Sequence, residues 1–226
     1  MTPDQLTGVV TSHLKTLCLG EQQLLAHPQV HFALTQLHQQ AQSAGFELAI
    51  ASGFRDFFRQ KLIWDNKFSG KRPLLDSQSR PVDANTLSAQ EKVTTIMRWS
   101  ALPGASRHHW GTDFDIYAKN CLPEGQNLVL EPWEYLDGHQ HSFYQWLKEA
   151  IRPLGFFFPY DQDRGGVAAE PWHISYAPVA QIAMKQLTPE QLTQVWAQNP
   201  IEGIDTVQEI LPNIYTRYIT NIGSLS

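Results

Sequence analysis

The chain has 226 residues, a length that fits one domain with insertions. Apolar residues make up 42% of it, enough for a proper core, and the formal charge is −5 with no long Lys/Arg run. That balance speaks against nucleic acid as a partner.

The two cysteines, Cys18 and Cys121, lie far apart and in no metal-ligand spacing, so reduced thiols are expected rather than a disulfide framework. The N-terminus shows neither a basic region nor the apolar stretch of a leader. No apolar run reaches the length of a membrane span. A cytoplasmic protein without membrane contact is the expectation.

Thr2-Pro3-Asp4 resembles a helix start. A second helix is predicted over 27–45, where Val30, Leu34, Leu37 and Ala41 recur at helical spacing and Gly45 makes a stop. Phe46, Leu48 and Ile50 alternate, which reads as a strand ending at Ser52-Gly53. Residues 56–68 read as a helix. The polar, turn-rich stretch 69–88 reads as a surface loop. Another helix is predicted over 89–102, closed by Pro103-Gly104. A strand is expected over 112–117, and an irregular or hairpin stretch over 120–136. A helix follows over 142–156, then strand, loop and strand over 156–178, and a mostly helical remainder. Helices and a few strands are interspersed with long loops, so the fold class is α+β. One domain over 1–226 is expected, with helical N- and C-terminal extensions.

The chemistry concentrates in "SRHHWGTDFDIY", residues 106–117. His108, His109, Asp113 and Asp115 are crowded there, and a catalytic zinc commonly takes three His, Asp or Glu ligands and keeps one position open. The remaining donors are sought in "EPWHISY", which holds Glu170 and His173. His108 and Asp115 are seven apart and would lie on opposite faces of one strand. The chain must bend between them, and Gly111 permits it. Glu170 and His173 are three apart, and Pro171 disfavours regular pairing there. Each residue also has a structural reading: a satisfied histidine, a capping aspartate, a surface glutamate.

Ser106-x-His108-x-x-Gly111-x-x-x-Asp115, followed by Glu170-x-Trp172-His173, resembles the VanY-type D-Ala-D-Ala carboxypeptidases. These are zinc peptidases grouped with lysostaphin-like enzymes and the hedgehog N-terminal domain. "ASGFRDFFRQ" and "LPGASRHHWG" match two further stretches, so the resemblance covers roughly 46 to 178 in ordered blocks. It implies a small antiparallel sheet carrying a Zn2+ site and flanked by helices. His108, Asp115 and His173 would be the zinc ligands, and Glu170 the general acid/base. Arg55 would grip the substrate's terminal carboxylate. Ser106 would bind substrate backbone or support the site, and Gln60 would contact substrate. Asp113 stands where the family has a small residue and shares a strand face with Asp115, so it competes as a ligand, although the register from Ser106, His108 and Gly111 favours Asp115. The same register favours His108 over His109, which is expected to line the cleft or pack against Trp110. Without the family, Arg55 reads as a surface ion pair with Asp56 or another acid.

The implied substrate is a peptidoglycan-derived peptide losing its C-terminal D-Ala. The cytoplasmic setting favours an L,D-carboxypeptidase acting on recycled tetrapeptides. The alternatives are a D,D-carboxypeptidase acting on pentapeptides and a non-catalytic zinc-containing binding module.

Overall fold

The computed structural model describes residues 1–223. A one-turn helix α1 (Pro3–Leu6) opens the chain, with Thr2 and Gln5 forming a capping box. The hairpin β1 (Lys15–Leu19) and β2 (Gln22–Ala26) follows. Helix α2 (His31–Ser43) buries Ala33, Leu34, Leu37 and Ala41, and a 3-10 turn leads into it with Val30 also buried. Those positions form the apolar stripe that the spacing predicts.

Strand β3 (Leu48–Ser52) leads to helix α3 (Phe57–Phe68), which Asp56 caps by accepting from the Arg59 N–H. The 69–88 stretch is more than a loop. It contains a two-stranded ladder, β4 (Leu74–Leu75) with β5 (Pro81–Val82), and a 3-10 turn at Ala84–Thr86. Asp76 ties the connecting turn together by accepting from the backbone of Gln78 and Arg80. Leu74 and Ala84 fall into the core, which is why the segment folds down.

Helix α4 (Ala89–Met97) precedes β6 (Asp113–Ala118). The 120–136 stretch contains no hairpin: it is irregular, with a 3-10 turn, and ends in the short helix α5 (Pro132–Leu136). Then come α6 (His141–Ala150), β7 (Phe156–Phe157), β8 (His173–Tyr176) and four helices, α7 (Ala177–Gln186), α8 (Pro189–Gln198), α9 (Ile204–Glu209) and α10 (Leu211–Ile214).

The main sheet is antiparallel, in the order β3-β6-β8-β7. Its two faces separate by strand alternation. Phe114, Ile116 and Ile174 join the core built on α2 and α6. Asp113, Asp115, His173 and Ser175 share the opposite face, with Asp115 across from His173 and Asp113 across from Ser175. A second apolar cluster packs α3 and α4 against the C-terminal helices. Burying each large apolar side chain contributes about 1.5–3 kcal/mol. The sheet is therefore anchored on its apolar face, while its polar face carries the site.

Candidate metal centre and substrate cavity

Residues Arg107–Trp110 form a 3-10 turn that ends at Gly111 in the left-handed region, φ 66°. This is the bend between His108 and Asp115. A side chain at 111 would put its Cβ 2.4 Å from Leu14 Cδ2 and 2.9 Å from the His27 nitrogen, so only glycine fits. On the other side, Pro171 and Trp172 separate Glu170 from the start of β8. The backbone there turns tightly, the His173 N–H bonding to the Glu170 carbonyl at 3.0 Å.

These two bends bring His108, Asp115 and His173 together. Each offers one ligand atom, and the three atoms lie within 4.8 Å of one another. All three residues are buried. His108 donates from Nδ1 to the Gly53 carbonyl at 2.9 Å, which leaves the Nε2 lone pair facing Asp115 Oδ2 at 3.6 Å. Burial, with Arg55 and His173 nearby, holds its pKa well below the usual histidine value, so the ring is neutral. Asp115 Oδ1 is buried without a hydrogen-bond partner. Burial raises the Asp115 carboxyl to about 6.

His173 is held from both sides. Nε2 lies 3.0 Å from Asp113 Oδ1, while Nδ1 lies 3.0 Å from Glu170 Oε2 and 3.5 Å from Asp115 Oδ1. Burial lowers its pKa, but hydrogen bonds to Asp113 and Glu170 and the charges of Asp115 and Glu170 outweigh that and lift it to about 10. Two imidazoles and a carboxylate with an orphaned oxygen, converging in a buried space, form a donor set that suits a borderline divalent cation such as zinc. The positive charge that this cluster of acids draws onto His173 is one that such a cation would supply.

Asp113 is placed differently from Asp115. It is fully buried and ion-paired with Arg107 Nε at 2.7 Å, and it accepts from Thr112 Oγ1 at 2.7 Å. Arg107 in turn donates to Ser175 Oγ at 2.6 Å. Asp113 faces the Nε2 edge of His173, whereas the convergence point lies on the Nδ1 edge. Its role is a buried carboxylate behind a histidine.

His109 neither lines the cavity nor packs on Trp110, correcting that expectation. Its Nδ1–H donates to the Arg55 carbonyl at 2.6 Å, and its Nε2 accepts from the Gly104 N–H at 3.1 Å. Having one donor and one acceptor partner, it is satisfied as a neutral ring, and burial lowers its pKa to about 4. Trp110 instead donates to the Leu6 carbonyl and stacks under Arg107.

The cluster opens into a cavity of about 500 Å³, whose lining includes Arg55, Ser106, Glu131, Tyr160 and Glu170. Arg55 makes no ion pair with Asp56. Its guanidinium donates to Gln60 Oε1 at 2.8 Å and Ser52 Oγ at 3.0 Å, two neutral partners. Among the described residues, no carboxylate lies within ion-pair distance of it. Gln60 is fully buried, with its other amide end donating to the Ala101 carbonyl at 2.6 Å. It stands behind Arg55 and is not among the residues that line the cavity. Ser106 Oγ is buried without a partner at the cavity wall. Tyr160, with its ring 5.0 Å from His173 and edge-on, has no signature in the sequence: it sits in an irregular segment ten residues before Glu170.

The family model described as VanY, D-alanyl-D-alanine carboxypeptidase, matches residues 23–179. The chain belongs to this family. An uncharacterised protein of Haemophilus influenzae is 42% identical over 121 residues, covering 52% of this chain and 92% of the relative. Among solved structures, a Zn(II) complex of the vancomycin-resistance D,D-pentapeptidase VanY from the VanB-type cassette is similar. It is 27% identical with a TM-score of 0.50, and the match covers 76% of this chain and 82% of that one. The LD-carboxypeptidase LdcB shares the fold at 23% identity and a TM-score of 0.53, with 80% and 78% covered. The α+β architecture with its small antiparallel sheet agrees with these structures. No helix among the described residues is long and apolar enough to cross a membrane.

Proposed function

We propose that this chain is a zinc-dependent carboxypeptidase that removes C-terminal D-Ala from peptidoglycan peptides. The observation that carries the reading is the placement of Glu170, the His108/Asp115/His173 cluster and Arg55 on one cavity, with Arg55 lacking an acid partner. His108, Asp115 and His173 would hold the zinc. When bound, it acidifies water and polarises the scissile carbonyl. Glu170 accepts a proton from the attacking water and delivers it to the leaving amine. Arg55, kept in place by Gln60 and Ser52, binds the terminal carboxylate by two parallel hydrogen bonds. That clamp selects the last residue of a chain. A binding module would have no use for an acid at Glu170 set against the metal cluster.

Within this reading the L,D reaction is favoured, on tetrapeptides in which D-Ala is joined to the L-centre of a diamino acid. A cavity of about 500 Å³ would accommodate a long side chain on the residue before the scissile bond. The proposed setting is recovery of wall fragments in the cytoplasm, which fractionation of cells tests. Purified zinc-loaded protein should release D-Ala from a tetrapeptide and stop when a chelator is added. Release from pentapeptides alone would replace the L,D reading by the D,D one.

A further inference from the structure

The cavity carries more positive charge than a single terminal carboxylate needs. Lys67, in the last turn of α3, and Arg72, just beyond it, line the same cavity as Arg55. Arg72 is held there by its N–H bonding to the Asn66 carbonyl at 2.9 Å. The Lys67 ammonium donates to Ser100 Oγ at 2.7 Å. Neither cation has an ion-pair partner among the described residues. Lys67 is half-buried, and its pKa is lowered first by burial and then by the charges of Arg72 and Arg55. Three cations that repel one another in a half-closed space are an arrangement that an incoming anion stabilises. Apart from Asp115 and Glu170 at the metal end, the acid in the lining is Glu131, already accepting from Ser79 Oγ at 2.6 Å.

We propose that Lys67 and Arg72 form a subsite for a second substrate carboxylate, at the far end of a diamino dicarboxylic acid preceding the scissile bond. The proposal rests on the carboxypeptidase reading of the site and names the class of substrate it takes. The far end of such a residue carries a carboxylate for the two cations and an ammonium that Glu131 can accept. A lysine in the same place brings the ammonium but no carboxylate, and leaves Lys67 and Arg72 without an anion. Arg55 thus reads the carboxylate of the leaving D-Ala, and Lys67 with Arg72 read the side chain of the residue that remains.

Two tetrapeptides ending in D-Ala, one with diaminopimelate and one with lysine at the third position, test this on the zinc-loaded protein. Binding is read by calorimetry of the corresponding tripeptide products and turnover by D-Ala release. The diaminopimelate peptide should bind at least about tenfold more tightly, the scale of one charge-assisted contact. Lys67→Met and Arg72→Gln should each shrink that ratio, and the double variant should bring it near one, mainly through KM. Arg72 is exposed, so its variant tests the subsite even where Lys67→Met weakens folding. Equal binding of the two peptides, or a ratio unchanged in both variants, would overturn the subsite. Release of D-Ala from neither tetrapeptide nor pentapeptide would instead overturn the enzyme reading, while the binding ratio still decides the subsite.

Discussion

His173 Nε2 lies 3.0 Å from Asp113 Oδ1, so the histidine that ends one half of the motif is held by a carboxylate from the other. Because Asp113 is anchored by Arg107 and Thr112, it can accept a hydrogen bond from Nε2–H and leave Nδ1 for the convergence point. Asp113→Ala should weaken zinc binding by about 10- to 100-fold, the usual cost of losing such a partner. Competition with a chromophoric chelator measures it. Asp113→Asn can still accept through its amide oxygen and should fall between the two. Unchanged zinc affinity in both variants would mean that His173 is oriented by something else.

Glu170 sits 3.0 Å from His173 Nδ1 and lines the cavity. Glu170→Gln keeps the shape but removes the proton acceptor. Turnover should drop by about 10²–10⁴-fold, the range for general acid–base groups, while bound zinc measured by elemental analysis stays stoichiometric. Retained turnover in a folded, metal-loaded variant would remove Glu170 from the chemistry.

Much of this site is legible in the sequence because its ligands come from two short motifs with bends encoded locally by Gly111 and by Pro171. The helical stripe of Val30, Leu34, Leu37 and Ala41 is legible for a similar reason, since periodicity survives without tertiary context. The β1–β2 hairpin is less visible: its strands are short, and Gln22, Gln23 and Leu25 blur the alternation. The β4–β5 ladder hides because two-residue strands leave no period to read. The places of His109 and Gln60 depend on which backbone carbonyls lie beside them, a matter of tertiary contact that no spacing reports. Asp113 is visible as an anomaly but not as a solution, because Arg107 and Ser175 complete it only after folding.

Gly111 makes the bend at φ 66° against Leu14 and His27. Gly111→Ala combines left-handed strain with a backbone clash, so a loss of about 2 kcal/mol or more is expected. Urea unfolding of the metal-free protein reads it directly. Zinc affinity should fall as well, because the bend sets His108 relative to Asp115.

Arg55 meets two neutral acceptors, so replacing its charge should cost binding more than folding. Arg55→Lys keeps a charge but cannot form the two-pronged contact. KM for a D-Ala-terminated peptide should rise about tenfold or more, and discrimination against the same peptide with an amidated C-terminus should shrink. Unaltered discrimination would separate Arg55 from the terminal carboxylate.

His109 supplies a pH dependence that belongs to the fold. Its folded pKa is lowered by burial to about 4, while the unfolded ring titrates near the ordinary 6.5. Between those values the unfolded chain binds the extra proton, so stability rises with pH across this window. The contribution is fully present above about 6.5 and is lost as pH falls toward 4. A shift of this size corresponds to about 3 kcal/mol. Thermal melts of the metal-free protein from pH 7 to pH 4 should show a destabilisation that His109→Gln reduces, because glutamine does not titrate and can still serve as donor and acceptor. An identical pH slope in wild type and variant would assign the titration to another buried group.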